Sequence, residues 1–293
     1  MFFFAVLYWV GLMARYTKVI TGLGAVAGAL GISALNWSFD VSEVPEVSEN
    51  VLAPRFSYSC IKSDLAQPLD QGGEFSVSVW NIYKQQKDNW RQELERISQD
   101  SSLVLLQEAS LTEELKHYLD DTSWKVRMAN AFKFLNTPAG VMNLSSVNAK
   151  TTCAYLAMEP WLRLPKSALL SEFLLSNGQT LAVVNLHGVN FALGLEEYKE
   201  QFNTLKSVLS KHIGPIILAG DFNTWRQARL DVVDEFANSL GLVDTRIRRD
   251  RRIKVFGQPL DHLYYRDLTL VSAEAPETDA SDHNPIIASF ALQ

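Results

Sequence analysis

The sequence predicts an α/β protein whose mixed β-sheets are covered by helices. Short, wholly apolar runs at 103–106 and 215–219 read as buried strands. Residues 195–212 place Leu195, Tyr198, Phe202, Leu205, Val208 and Leu209 on one stripe, the spacing of an amphipathic helix. Strands also follow strands, which a simple doubly wound sheet does not require. With 293 residues, 47% of them hydrophobic and 11% aromatic, the chain can bury a substantial core and is not a disordered one. That length suits one large domain or two small ones.

The N-terminus stands apart. Residues 2–13 are almost wholly apolar, Arg15 and Lys18 follow, and 19–39 is a second apolar run rich in Ala, Gly and Leu. A run of that length can cross a bilayer, although Gly22, Gly24, Gly28 and Gly31 make it a borderline span. Basic residues before it and the acidic stretch 40–49 after it favour an N-terminus inside and the remainder outside. Were Met13 the true start, the same run would read as a signal peptide or signal anchor, and a helical cap on the domain is a third reading. The expected division is a hydrophobic segment and acidic linker at 1–50, then one domain at 51–293.

Within that domain 51–73 is irregular, broken by Pro54, Pro68 and Gly72-Gly73. Phe75, Val77 and Val79 then alternate with polar residues in a strand that finishes at Trp80-Asn81. Trp90, Leu94 and Ile97 share one face of a helix. The strand at 103–106 ends in Gln107-Glu108, and 111–119 is a helix with Glu113 and Glu114 in its first turn, where acids complement the dipole. Residues 124–175 read as strands and loops without a clean period. A strand at 180–186 closes in Asn185-Leu-His-Gly-Val-Asn190. After the helix at 195–212 and the strand at 215–219 comes a helix at 226–240, with Val232, Val233, Phe236 and Leu240 inward. Strands at 260–265 and 286–290 complete the chain.

Two cysteines, Cys60 and Cys153, exclude a disulfide scaffold and a thiolate zinc site. Whether they pair is not legible, and two unlinked thiols are the expectation.

The decisive pattern is what ends each apolar run. Asn81, Glu108 and His187 (with Asn190 behind it) close three of them, and Asp221 and Asn223 close a fourth. Asp261 lies inside the strand of Pro259-Leu-Asp-His-Leu-Tyr-Tyr265, and Ser281-Asp282-His283-Asn284 precedes the last one. Asp221 and Asn223, two residues apart in an extended chain, can face one ligand together. Each alone could be a turn former, a cap or a core histidine. Six together point to a site. Glu108, Asn81 and Asp282 form an all-oxygen set of the kind that holds Mg²⁺ or Mn²⁺. There is no Gly-rich loop with Lys-Ser/Thr and no Gly-x-Ser-x-Gly elbow, so ATPase and serine-hydrolase chemistries lack their parts. Metal-assisted attack of water on phosphorus remains.

Trp80-Asn81, Gln107-Glu108, Asn185-Leu-His187, Gly220-Asp-Phe-Asn223, Asp261 and Ser281-Asp-His283 occur in the order shown by the endonuclease/exonuclease/phosphatase superfamily, which the chain resembles over about 74–292. The strings Val79-Trp-Asn-Ile-Tyr-Lys-Gln-Gln86 and Leu218-Ala-Gly-Asp-Phe-Asn223 are similar to the bacterial UPF0294 (YafD) branch. The resemblance implies a four-layer α-β-β-α sandwich of two mixed sheets, like deoxyribonuclease I. It implies Glu108 as principal metal ligand, supported by Asn81 and completed by Asp282. Asp221 would activate water, Asn223 and His187 would donate to phosphoryl oxygens, and Asp261 would orient a charged His283. His187 resembles the histidine of deoxyribonuclease I and the sphingomyelinases. Abasic-site endonucleases show a tyrosine near here, so abasic-site repair is disfavoured.

The substrate is less constrained. A net charge of −6 argues against a protein coated for indiscriminate nucleic-acid binding, but not against a local basic groove. Residues 246–254 supply one candidate strip, with Arg248, Arg249, Arg251 and Arg252; Asn190 is a further candidate substrate contact. Trp225 is expected to pack under the site. The expectation is a monomeric phosphoesterase with nucleic acid preferred over a phospholipid headgroup or a small phosphoester. An inactive, membrane-tethered binding module of the same fold is the other class. The resemblance implies a cytoplasmic protein; residues 13–39 offer membrane anchoring or export instead.

Overall fold

The computed structural model describes residues 39–48, 51–52, 56–192 and 194–293. The expectations for the apolar N-terminus lie outside the described residues. Two compact units are present. Of the smaller, the described residues are Phe39, Asp40 and 134–136, and the Phe39 and Phe134 rings lie 5.0 Å apart. The larger, 41–133 and 137–293, is the unit of interest.

Its main elements are β1 (Glu74–Asn81), α1 (Trp90–Ser98), β2 (Leu103–Ser110), α2 (Glu113–Asp120), β3 (Lys125–Phe134), β4 (Thr137–Ser145), β5 (Thr151–Met158), β6 (Pro165–Leu174), β7 (Thr180–His187), α3 (Glu196–Leu209), β8 (Ile216–Asp221), α4 (Gln227–Ser239), β9 (Asp261–Arg266), β10 (Leu268–Ala275) and β11 (Ile286–Leu292). One sheet runs β10-β11-β1-β2-β4-β3, and the other β9-β8-β7-β6-β5, each extended by short edge strands. Both are mixed: β1 pairs parallel to β2 and β7 parallel to β8, while their other neighbours run antiparallel.

Three apolar layers explain the stacking. Phe75, Val77, Val79, Leu103 and Leu105 meet Leu181, Val183, Ile217, Ala219 and Leu263 between the sheets. Val184, Leu186 and Leu218 turn outward onto Tyr198, Phe202 and Phe236 of α3 and α4. Val104 and Leu106 turn outward onto Leu94, Ile97 and Leu115 of α1 and α2. A strand buried on both faces cannot alternate in hydropathy, so the runs at 103–106 and 215–219 are continuous. The result is helix, sheet, sheet, helix. β3, β5 and β6 mix buried and partly exposed positions, and β4, buried at every position but its first, carries Thr, Asn and Ser, so none of them reads as a clean strand.

One departure from expectation stands out. Cys60 and Cys153 are register partners on adjacent antiparallel strands and form a disulfide, not two unlinked thiols. The bond closes a separation of 93 residues that no sequence periodicity could reveal. Buried His262 sits between Phe222 and Tyr264, with ring centroids at 5.3 and 5.7 Å. Its Nε2 lies 2.7 Å from the Thr224 hydroxyl and its Nδ1 has no hydrogen-bond partner. Charging the ring would bury an unsatisfied N–H. Burial, with the Arg252 charge, accordingly depresses its pKa from 6.5 to about 3. Between those values the unfolded chain binds the extra proton, so His262 contributes stability that is complete above pH 6.5 and is lost as pH falls toward 3. His262→Phe is therefore expected to flatten the acid limb of a urea-midpoint against pH curve in that window; an unchanged slope would refute it.

Candidate active site

Strand register assembles the site. Asp221, the last residue of β8, is paired with His187 at the end of β7 and with Asp261 at the start of β9. One row across the second sheet thus carries all three. The facing sheet contributes Asn81 and, beyond its partner Gln107, Glu108. Glu108 lies where the β2–β4 register slips, at φ 53°, a bulge that re-aims its side chain. Left-handed backbone recurs at Tyr83, Lys84, Gln85 and Asn223 (φ 53°, 52°, 55° and 53°). For non-glycine residues this costs of order 1 to 3 kcal/mol each, strain that concentrates at sites the surrounding structure holds in place.

The sheets are stapled behind the site by buried polar groups. Gln107 Nε2 donates to Asn185 Oδ1 at 2.7 Å, and Asn185 Nδ2 donates to Asn143 Oδ1 at 2.8 Å. The Gln and Asn beside the chemical residues in the motifs are therefore structural. The loop before β11 is locked to β1 in the same way. Trp80 Nε1 donates to the His283 carbonyl at 3.0 Å, and the Ser281 hydroxyl to the Asn81 carbonyl at 2.7 Å.

Asp221 is the hub. Its Oδ2 accepts from Asn81 Nδ2 at 3.0 Å and its Oδ1 from the Asn223 backbone N–H at 2.9 Å. His187 Nε2 approaches Oδ2 to 3.5 Å, and His283 Nε2 to 3.9 Å. His283 Nδ1 is 2.8 Å from Asp261 Oδ2. Burial pushes the Asp221 carboxyl up to about 6, with the His283 charge pulling down and Asp261 pushing up. Burial works against a charge on His283, but Asp261 and Asp221 outweigh it and lift its pKa to about 10. His283 is a buried imidazolium donating to Asp261. Burial and the charges of Lys166 and Lys84 hold His187 well below 6.5, so its ring is neutral. Lys166 Nζ lies 3.0 Å from His187 Nε2. With lysine as donor, that nitrogen accepts a hydrogen bond.

Asn223 Nδ2 donates to the Gly188 carbonyl at 3.0 Å, so here it holds the loop. Asn190 does likewise: its Oδ1 accepts from Trp225 Nε1 at 3.0 Å. That bond ties its side chain to Trp225, which packs against Arg229 at 4.8 Å. Arg252 is spent internally, its Nε on Asp250 at 2.9 Å and Nη1 on the Asp261 carbonyl at 2.9 Å, while Arg248, Arg249 and Arg251 are exposed. Asp282 is exposed and accepts from the Ser281 hydroxyl at 3.3 Å; no described contact joins it to Glu108 or Asn81. The bend before β11 leaves Asp282 exposed while its neighbour His283 is buried. Sequence reasoning missed Lys84, which pairs with Glu108, and Lys166. Lys84 stood inside the motif string, three residues past Asn81, and could have been found; Lys166 lay in the stretch without a period and gave no signal.

The donors fit a hard divalent cation. The Glu108 and Asp221 carboxylates approach the same His187 nitrogen, at 3.7 and 3.5 Å, and Asn81 stands beside them with its Nδ2 on Asp221 and its Oδ1 accepting from the Tyr83 N–H. The Lys84 ammonium already lies against Glu108, so the spot attracts positive charge. A buried group of Asp221, Asp261 and His283, with ligand atoms within 4.8 Å of one another, shares the hub. Both cysteines are in the disulfide, which leaves oxygen and imidazole as ligands.

The family model for the endonuclease/exonuclease/phosphatase family matches residues 78–283. The chain belongs to that family. Among its relatives, the UPF0294 protein of Vibrio campbellii is 49% identical over 234 residues, covering 80% of this chain and 83% of that one. A UPF0294 protein of Yersinia pestis is 40% identical over 226 residues, 77% and 87% of the two chains. Of solved structures, the endonuclease/exonuclease/phosphatase of Bacteroides vulgatus superposes with a TM-score of 0.59 at 16% identity, over 75% of this chain and 99% of that one. D. rerio TDP2, complexed with single-strand DNA product, gives a TM-score of 0.53 at 15% identity, over 75% and 99%. Those likenesses establish the sandwich fold. Members of the endonuclease/exonuclease/phosphatase family are metal-dependent phosphoesterases.

Proposed function

We propose that this family member hydrolyses phosphodiesters with Mg²⁺ or Mn²⁺, using Asp221 as the base. The observation that supports this most is the hub at Asp221, a carboxyl poised near neutrality by burial between the neutral His187 and the charged His283. Asp221 takes a proton from a water whose oxygen adds to phosphorus. The bond from phosphorus to the departing ester oxygen breaks, and the alcohol leaves with a proton from solvent. The His283 imidazolium, oriented by Asp261, and the Lys166 ammonium stabilise the negative charge that builds on the phosphoryl oxygens. A divalent ion held by Glu108 and Asn81 would supply further charge neutralisation there. Retention of Asn81, Glu108, His187, Asp221, Asn223, Asp261 and His283 speaks against an inactive module of the same fold.

Nucleic acid is one substrate reading, supported by the exposed Arg248, Arg249 and Arg251. Purified protein should be assayed with and without Mg²⁺ against single- and double-stranded DNA, RNA, sphingomyelin and bis(p-nitrophenyl) phosphate. EDTA is expected to lower turnover at least about 100-fold; EDTA-resistant turnover would refute the metal assignment.

The disulfide favours an oxidising compartment for the domain, and with the sequence of 13–39 supports anchoring or export over a cytoplasmic location. A reporter fused after Asn50 should work outside the inner membrane. Activity on the cytoplasmic side would reverse this reading.

A further inference from the structure

A cavity of about 180 Å³ opens beside Glu108 and His187. Lys84 and Lys166 stand at its polar end, and Phe132, Leu162, Leu164 and Phe191 form its walls. A phosphate bound at the carboxylates would have two ammonium groups close by and one ester arm facing an apolar wall. The other polar liners are already engaged, Glu159 with the Asn190 and Phe191 N–H groups and Ser167 with the Val141 N–H and the Ala129 carbonyl, so the hydroxyls of a sugar or the polar edge of a base would find few partners there. Methylene and acyl groups suit it.

The rim of this cavity is apolar as well. The turn from β5 to β6 exposes Trp161 (64%) and Leu162 (53%), followed by an exposed Arg163, and Phe191 across the mouth is 51% exposed. Their backbone is pinned. Glu159, in the turn and only 1% exposed, accepts from the backbone N–H groups of Asn190 at 2.8 Å and Phe191 at 3.3 Å. Lys166 Nζ lies 3.8 Å from the same carboxylate. A buried carboxylate thus fastens turn to loop while the large apolar side chains point outward. Tryptophan, aliphatic and arginine side by side is the composition that settles at a membrane interface. The apolar run at 19–39 would keep the domain near such a surface.

We infer that the cavity is the subsite for one ester arm of the substrate, that this arm belongs to a lipid phosphodiester, and that the Trp161–Leu162 turn and Phe191 rest on the bilayer that presents it. The inference rests on the phosphoesterase reading above and deepens it. Two readouts on the full chain test it separately. The first is the ratio of Mg²⁺-supported turnover on vesicles (phosphatidylcholine, phosphatidylglycerol or sphingomyelin) to turnover of bis(p-nitrophenyl) phosphate. Trp161→Ser and Leu162→Ser are each expected to lower that ratio roughly tenfold, the effect of one apolar side chain leaving lipid. The second does not depend on catalysis. The emission lost in Trp161→Phe isolates Trp161, and vesicles of brominated phosphatidylcholine should quench that component. An unquenched Trp161, an unchanged ratio, or a DNA or RNA oligonucleotide cleaved in preference to every vesicle would overturn the inference. Absence of turnover on the soluble diester would instead sink the phosphoesterase reading, with quenching still deciding the docking.

Discussion

Asp221→Ala is expected to lower phosphodiester turnover by roughly 10²- to 10⁴-fold while leaving the protein folded, since loss of a positioned base typically has an effect of that order. Asp221 is the residue through which both histidines and Asn81 communicate, so no neighbour can replace it. The charge it carries at neutral pH is one that burial resists. Its folded pKa of about 6 exceeds the ordinary 3.8, so its ionisation removes stability as pH rises through that window. Loss of the carboxylate therefore relieves a desolvation penalty, and the Ala variant should remain folded. The same two values set the pH profile: kcat/KM should rise as Asp221 ionises near 6 and fall as His283 loses its proton near 10. Because Asp261 holds the His283 pKa up, Asp261→Asn is expected to move the alkaline limb to lower pH. Near-normal turnover in Asp221→Ala, measured on bis(p-nitrophenyl) phosphate with folding checked by circular dichroism, would end this mechanism.

Gly220→Ala is expected to destabilise the protein by about 4 kcal/mol or more, measured by urea unfolding. A Cβ at Gly220 would lie 1.9 Å from the carbonyl oxygen of Leu186 on the neighbouring strand, and the backbone there has φ 141°. Two penalties coincide, a backbone clash inside a central strand pair and a conformation L-residues avoid. The clash cannot be relieved by a rotamer, because both atoms are fixed by the sheet. Gly178→Ala is the control: φ is +84° but nothing lies within 4 Å, so only about 1 kcal/mol of strain is expected. Equal stability of the two variants would show that close strand approach is not what positions Asp221.

Much of this was legible in the sequence for definite reasons. The helix at 195–212 was readable because α3 is solvated on one side, and the structure places it at Glu196–Leu209. The strand ending at Asp221 was readable because full burial leaves an uninterrupted apolar run. Asn81, Glu108, His187, Asp221, Asp261 and His283 announced themselves as polar residues where such runs stop. Residues 124–175 were opaque because β3 to β6 mix buried faces, a polar inter-sheet network and exposed turns. Asp282 and His283 are adjacent in sequence, yet one is exposed and the other buried, a difference that adjacency does not encode.

The sequence alone determined the layers and the chemical inventory, since hydropathy period and residue type are local properties. Tertiary structure decided what those residues do together. Register across β7, β8 and β9 put His187, Asp221 and Asp261 in one row, and pairing of 60–62 with β5 joined two distant cysteines. It also brought Lys84 and Lys166 to the site and set Leu162, next to the exposed Trp161, and Phe191 around one cavity. Those relations join residues far apart in the chain. They are fixed by strand order and packing, which no local pattern encodes.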